Sequence, residues 1–148
     1  MDIINYGYLF EILGLYSTSN GLGDHLDGYG MTGAWDGAII YNTISIIVTL
    51  VTVGLFIIFY YGPFNKVKFS KLGYWLAFLI INAIICGGVA YGYALNDLPE
   101  EFHSTGLSIS PNDCAGFGIS VAICAAIFFA TISLFGKWWS NHQAKNPF

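Results

Sequence analysis

The stretch IIYNTISIIVTLVTVGLFIIFYY, residues 39–61, decides the fold class of this chain. It contains no Asp, Glu, Lys, Arg or His, and it is long enough to cross a hydrocarbon core of about 30 Å, which takes roughly 20 apolar residues in a helix. Residues 72–95 and 115–135 have the same character. The three stretches predict an all-α integral membrane protein with three transmembrane helices.

The composition of the whole chain agrees with this prediction. Hydrophobic residues make up 55% of the sequence, charged residues only 9%, and the mean hydropathy is +0.62. A soluble globular domain is about 25% charged, so this chain has too few charges to keep a surface in water. The lipid bilayer is therefore the first partner that the sequence predicts.

Charge sorts the remaining segments between the two sides of the membrane. After three crossings, segments 1–38 and 96–114 share one side, and segments 62–71 and 136–148 share the other. All nine acidic residues fall on the first side. All five basic residues fall on the second: Lys66, Lys68, Lys71, Lys137 and Lys145. Because short Lys-rich loops stay in the cytoplasm, we expect an extracytoplasmic N-terminus and a cytoplasmic C-terminus, in a bacterial inner (plasma) membrane.

Polar residues in the first predicted helix fall on one side of it. At about 100° per residue they share a sector of roughly 80°. These residues are Asn42, Ser45, Thr49 and Thr52. The favoured interpretation is that their side chains bond to the carbonyl one turn earlier and to neighbouring helices. The alternative is that they line a water-filled pore.

The other two predicted helices carry residues suited to helix packing. Asn82 lies near the middle of the second helix, where an amide is costly unless another helix supplies hydrogen-bond partners. Small residues at a spacing of four allow two backbones to approach closely. They are Gly88 and Gly92 in the second helix and Gly118, Ala122, Ala126 and Ala130 in the third. The partner helix belongs either to the same chain or to another copy, and we favour a homo-oligomer or a place in a larger complex.

The first 16 residues, MDIINYGYLFEILGLY, form an apolar segment that is too short and too interrupted to span. It has no Lys or Arg, so it does not match a cleavable secretory signal. We expect a short interfacial helix, or a segment packed under a partner. Its deletion should weaken assembly rather than abolish insertion.

A glycine-rich stretch, GLGDHLDGYG, follows this segment and contains Asp24 and Asp27, with Asp36 in a similar setting further on. Hard cations such as calcium favour carboxylates on such loops, so the three residues form a weak candidate metal site. The alternative is that the glycines only permit tight turns.

Signatures of catalysis are missing from the sequence. It has no phosphate loop, no GxSxG and no HExxH motif, and its three cysteines are dispersed. No ionisable residue lies in the predicted spans, whereas proton pumps and coupled transporters normally have one. We therefore expect no enzyme activity and no cofactor. With five Lys and no Arg, no nucleic-acid partner is expected either.

The favoured functional hypothesis is a non-catalytic membrane subunit. It would anchor, scaffold or form a ring in a larger assembly, such as a secretion, injection or envelope complex. Two alternatives stay open: a homo-oligomeric pore or channel, and an accessory subunit of a respiratory or transport complex whose cofactors lie in other chains.

Overall fold

Every regular element in the described part of the chain is a helix. The structure is a computed structural model that describes residues 6–18, 21–29, 39–63, 72–98 and 109–136. The elements, in chain order, are α1 (Gly7–Glu11), α2 (Leu22–Leu26), α3 (Ile40–Tyr60), α4 (Leu72–Asp97) and α5 (Pro111–Gly136).

The prediction of an all-helical chain with three spanning stretches is confirmed in its main point. By length and composition, α3, α4 and α5 can each cross a membrane. A helix satisfies its own backbone hydrogen bonds, which is what an apolar segment needs in lipid. Relative to the predicted segments, α4 runs two residues further, to Asp97, and α5 begins four residues earlier, at Pro111.

The early start of α5 follows from its capping residues. Ser110 Oγ accepts a hydrogen bond from the Asn112 amide at 3.2 Å, and the Asp113 carboxylate accepts one from the Ser110 amide at 2.8 Å. This reciprocal arrangement is a capping box, and Pro111 at the first helical position suits it because no intrahelical partner awaits its nitrogen. The other oxygen of Asp113 accepts a bond from the Ser17 amide at 3.1 Å. The first turn of α5 is thus tied to the N-terminal part of the chain.

Helices α4 and α5 form the most extensive pair, and α3 lies against both. The short α1 lies against α5 and α3. At one end of the bundle, α2 approaches the last turn of α4, where His25 Nε2 lies 3.0 Å from the Asp97 carboxylate. The end at which α3 begins, α4 ends and α5 begins therefore also holds the N-terminal elements.

Most of the surface of the three long helices faces away from the chain itself. Within the most apolar window of each, 33% of α3, 17% of α4 and 39% of α5 is buried in the structure. Helix α4 is the least covered, although it is part of the most extensive pair. Its free surface is available to lipid or to another subunit.

Candidate functional site: a buried polar network and the segment that covers it

Asn82 lies fully buried between the three long helices. Its Nδ2 donates to the carbonyl of Ala125 on α5 at 3.0 Å, and its Oδ1 accepts a hydrogen bond from Thr52 Oγ1 on α3 at 3.2 Å. Cys86 Sγ, one turn further along α4, donates to the same oxygen at 3.7 Å. An amide in an apolar interior needs this kind of matching, because each unpaired polar atom there is costly. We call this group the Asn82 clasp.

The polar side of α3 is divided between two sets of partners. Thr52 belongs to the Asn82 clasp, while Ser45 and Thr49 lie nearer the start of the helix. Ser45 Oγ donates to the carbonyl of Tyr41 at 2.6 Å, and Thr49 Oγ1 donates to that of Ser45 at 2.8 Å, each one turn earlier. Asn42 is half-buried at the beginning of the helix. Ser45 and Thr52 are fully buried within the single chain.

Ser45 and Thr49 also contact the N-terminal segment through Tyr6. The Tyr6 amide donates to Ser45 Oγ at 2.8 Å, and the Tyr6 hydroxyl lies 3.3 Å from Thr49 Oγ1. Because the Thr49 hydroxyl already donates within α3, Tyr6 is the donor in this second bond. Thr49 is about 13 Å along the axis from the start of α3, at 1.5 Å per residue. The segment therefore reaches well into the bundle beside a span.

A series of three hydrogen-bonded side chains holds the later part of this segment, from Glu11 to Tyr16. The Tyr41 hydroxyl donates to the Glu11 carboxylate at 3.0 Å. The Tyr16 hydroxyl lies 2.9 Å from that of Tyr41 and must donate to it, because the Tyr41 proton is already used. Burial raises the pKa of Tyr16 above its ordinary value, so its phenol stays neutral. We call this group the Glu11 chain.

Aromatic packing and one glycine bring the N-terminal segment close to α5. The Phe117 ring on α5 is fully buried, with centroids of three other rings 5.4 to 6.0 Å from its own. Those rings belong to Phe10, Tyr16 and Tyr41. Next to it, a Cβ on Gly116 would collide with the backbone carbonyl of Leu15. The segment passes where α5 has no side chain to obstruct it.

The predicted small residues have different positions in the structure. A Cβ on Gly87 would lie 2.7 Å from the Gly118 carbonyl oxygen and 2.8 Å from the Ala122 Cβ, so these three positions make the close contact between α4 and α5. Gly88 and Gly92 are exposed on α4, and in the described part of the chain no atom beyond their own stretch of helix lies within 4 Å of an added Cβ. The last two members of the α5 series are half-buried: Ala126 and Ala130.

The candidate metal residues are not brought together by the described part of the chain. Asp24 lies in α2, Asp27 follows its last residue, and Asp36 lies outside the described residues. Across residues 6–18, 21–29, 39–63, 72–98 and 109–136, no three His, Cys, Asp or Glu side chains form a group that could hold a metal ion. His25, between the two aspartates, instead contacts Asp97. Metal binding by this loop stays a prediction.

Sequence reasoning missed the residues that the N-terminal segment contributes, above all Tyr6, Glu11 and Tyr16. The available signal was Glu11, a lone carboxylate in an apolar segment, which needs a hydrogen-bond donor wherever the segment is buried. Comparisons with protein-family models, with curated proteins and with solved structures gave no match. The function of this chain is therefore inferred from its own sequence and geometry.

Proposed function

We propose that this chain is a non-catalytic subunit of a membrane assembly, in which α4 packs against a helix of another subunit, in the first place a second copy of the chain. The observation that carries the proposal is the pair Gly88 and Gly92 on the outward side of α4. The proposed setting is a bacterial inner membrane, with the N-terminus outside and the C-terminus in the cytoplasm, as the placement of lysines favours.

Glycine inside a helix needs a reason, since it costs about 1 kcal/mol relative to alanine. Gly87 has one within the chain, because α5 passes too close for a side chain. Among the described residues Gly88 and Gly92 have none, since an added Cβ would meet open space at both positions. Close approach by a helix from outside the chain supplies the missing reason, because helices in membranes associate through small residues that let their backbones meet.

The two glycines belong to a longer apolar face of α4. Its members alternate at spacings of four and three residues, the pattern of a helix–helix seam, and all are exposed. They are Ala77, Ile81, Ile84, Gly88, Tyr91 and Leu95, with Gly92 beside them. We call this the outward face of α4. Ile84 and Tyr91 lie one turn to either side of Gly88, where the missing side chain leaves room for a ridge from a facing helix.

The polar network supports a structural role over a pore. A pore would need the polar side of α3 to face a lumen between copies. Ser45 and Thr52 are instead buried inside one chain, where they bond to Tyr6 and to the Asn82 clasp. These side chains serve the packing of the chain on itself.

Replacing both glycines with leucine tests the proposal. We expect wild-type protein in lipid nanodiscs to have the mass of an oligomer by mass photometry, and the Gly88→Leu, Gly92→Leu double variant to have the mass of a monomer. Gly54→Leu on α3 is the matched control, because an added Cβ there also meets open space but the glycine stands alone. It should assemble normally.

A wild-type chain that is monomeric in nanodiscs, and that also purifies from native membranes without a stoichiometric partner, would contradict the proposal. The pore alternative has its own readout. If the purified protein conducts ions in planar bilayers and Thr49→Leu abolishes the current, the pore interpretation replaces the scaffold.

A further inference from the structure

An apolar groove lies between α1, α3 and α5, with a volume of about 420 Å³. It runs along α5 from Cys124 to Thr131, and α1 and Val48 on α3 form its other walls. Its lining side chains Ile12 and Ile127 are 66% and 60% exposed, so the groove opens sideways, away from the bundle. We call this the α1 groove.

The polar atoms of the lining already have partners within the chain. The Tyr6 hydroxyl bonds to Thr49, Cys124 Sγ donates to the carbonyl of Leu9 at 3.6 Å, and Thr131 Oγ1 donates to the carbonyl of Ile127 at 2.8 Å. The donors among these atoms are thus already used, and apolar side chains make up the rest of the lining. Water is a poor occupant of such an apolar space for the same reason. The α1 groove therefore suits the hydrocarbon portion of a ligand.

The depth of the groove in the membrane indicates the source of such a hydrocarbon group. At 1.5 Å per residue, Thr131 and Cys124 lie about 7 and 18 Å from the end of α5 at Gly136. The hydrocarbon of one leaflet is about half of the 30 Å core, or roughly 15 Å thick. The groove therefore overlaps the depth of the acyl chains in the leaflet at which α3 and α5 end.

The sequence places positive charge at this same end. Lys137 directly follows Gly136, and all five lysines lie in the segments that follow α3 and α5. No acidic residue lies in those segments. Lysines at a membrane surface attract anionic lipids, by about 1 kcal/mol each, which is roughly a fivefold preference.

We propose that the α1 groove holds one acyl chain of an anionic phospholipid from this leaflet, a lipid class that the distribution of lysines in the sequence favours. An empty groove would leave its lining without dispersion contacts, and an acyl chain restores them. The lipid would thereby fill the space between α1 and α5 and stabilise the N-terminal segment against the bundle.

Photocrosslinking tests this proposal on the full-length protein. The chain is reconstituted in vesicles that contain phosphatidylglycerol with a diazirine on its acyl chain, irradiated, and mapped by mass spectrometry. We expect the products to concentrate on residues 9–13 and 124–131. Ile127→Trp, which fills the groove, should lose most of this product, whereas Leu134→Trp, at 57% exposure on the same helix, should keep it. If Ile127→Trp fails to fold, Leu9→Trp provides the same test, because it fills the groove from the opposite wall.

Further variants test the headgroup and the rival occupants. The same probe built on phosphatidylcholine should give at least fivefold less product, and Lys137→Gln should reduce the difference. Products spread evenly over the exposed faces, and unchanged in Ile127→Trp, would overturn the proposal. It would also be overturned if the groove is labelled only after residues 2–5 are deleted.

Discussion

At the scale of single residues, the stability of this molecule depends on polar side chains. Each of them would be costly to bury without a hydrogen-bond partner. Asn82 is an amide at the centre of an apolar helix, and Glu11 is a carboxylate in an apolar segment. Each is matched: Asn82 by Thr52 and the Ala125 carbonyl, and Glu11 by the Tyr41 hydroxyl. Polar groups placed this way define how helices fit together, because any other arrangement leaves them unpaired.

Replacing Asn82 by leucine should weaken the bundle. The variant loses both interhelical bonds of the Asn82 clasp, and we expect the free energy of unfolding to fall by about 1 kcal/mol, within the range of roughly 0.6 to 2 kcal/mol for such bonds in membranes. Unfolding by SDS in mixed micelles measures the change. Asn96→Leu, at an exposed position near the end of α4, is the control. Equal stability of Asn82→Leu and wild type would contradict the role given to the clasp.

The stability of the end of the bundle that holds Tyr16 should fall in alkaline solution. Burial raises the pKa of Tyr16, so the folded state holds this proton more tightly than the unfolded chain. The stabilisation is complete below the ordinary tyrosine pKa of about 10 and is lost progressively as the pH rises above it. Thermal unfolding between pH 8 and pH 11 measures this, and Tyr16→Phe should show a weaker loss above pH 10 than wild type. An identical pH profile for the variant would exclude Tyr16 as the cause.

Residue chemistry predicted that Asn82 needs a partner on another helix, but not which one. The polar side of α3 was visible in the sequence because helical periodicity fixes it. Its division between Tyr6 and Asn82 was not visible, since it depends on how three helices and an N-terminal segment meet in space. The Glu11 chain joins residues separated by up to 30 positions, a relationship that no local pattern records.

At the scale of elements, α4 presents two different faces to its surroundings. Two adjacent glycines show the difference. A Cβ added at Gly87 would collide with α5, whereas one added at Gly88 would meet open space. The spacing of small residues predicted close packing but could not say which glycine serves which neighbour. A rotation of 100° between consecutive residues is enough to separate contact within the chain from contact outside it.

Valine substitutions at these neighbouring positions should have opposite consequences. Gly87→Val forces a side chain against the Gly118 carbonyl and Ala122, so we expect a loss of about 1–3 kcal/mol in the free energy of unfolding, typical of overpacking. Gly88→Val should leave unfolding of the isolated chain unchanged and reduce only the oligomeric fraction. SDS unfolding and mass photometry distinguish the two effects. If both variants unfold alike, the assignment of the two faces is wrong.

At the scale of the whole molecule, hydropathy was sufficient to predict three long helices, because length and apolar composition are what a span requires. The helix ends were less predictable, since caps such as that of Ser110 and Asp113 extend α5 beyond its apolar stretch. The packing of residues 6–16 of the N-terminal segment was the hardest feature to predict. An apolar segment is equally compatible with an interface and with a cleft between helices, and only the partners in space decide between them.

The proposed orientation makes a prediction about accessibility from outside the cell. Cysteines introduced at Asn20 and at Ser70 lie in segments that three crossings place on opposite sides. A maleimide that cannot cross membranes should label Asn20→Cys in intact cells and Ser70→Cys only after lysis. The wild-type protein is the control, because it measures the background labelling of the three native cysteines. The reverse pattern would invert the proposed topology.

The central feature of the molecule is the packing of residues 6–16 of the N-terminal segment against the bundle, between α3 and α5. The most direct measurement uses the native Cys124, whose Sγ lies 3.6 Å from the Leu9 carbonyl. In a chain with Cys86 and Cys114 replaced by serine, oxidation of Leu9→Cys should give a disulfide to Cys124, seen as a linked peptide by mass spectrometry. Tyr8→Cys, at a position 82% exposed, should give little or none. Failure of Leu9→Cys to link, or equal linking by both variants, would contradict the account.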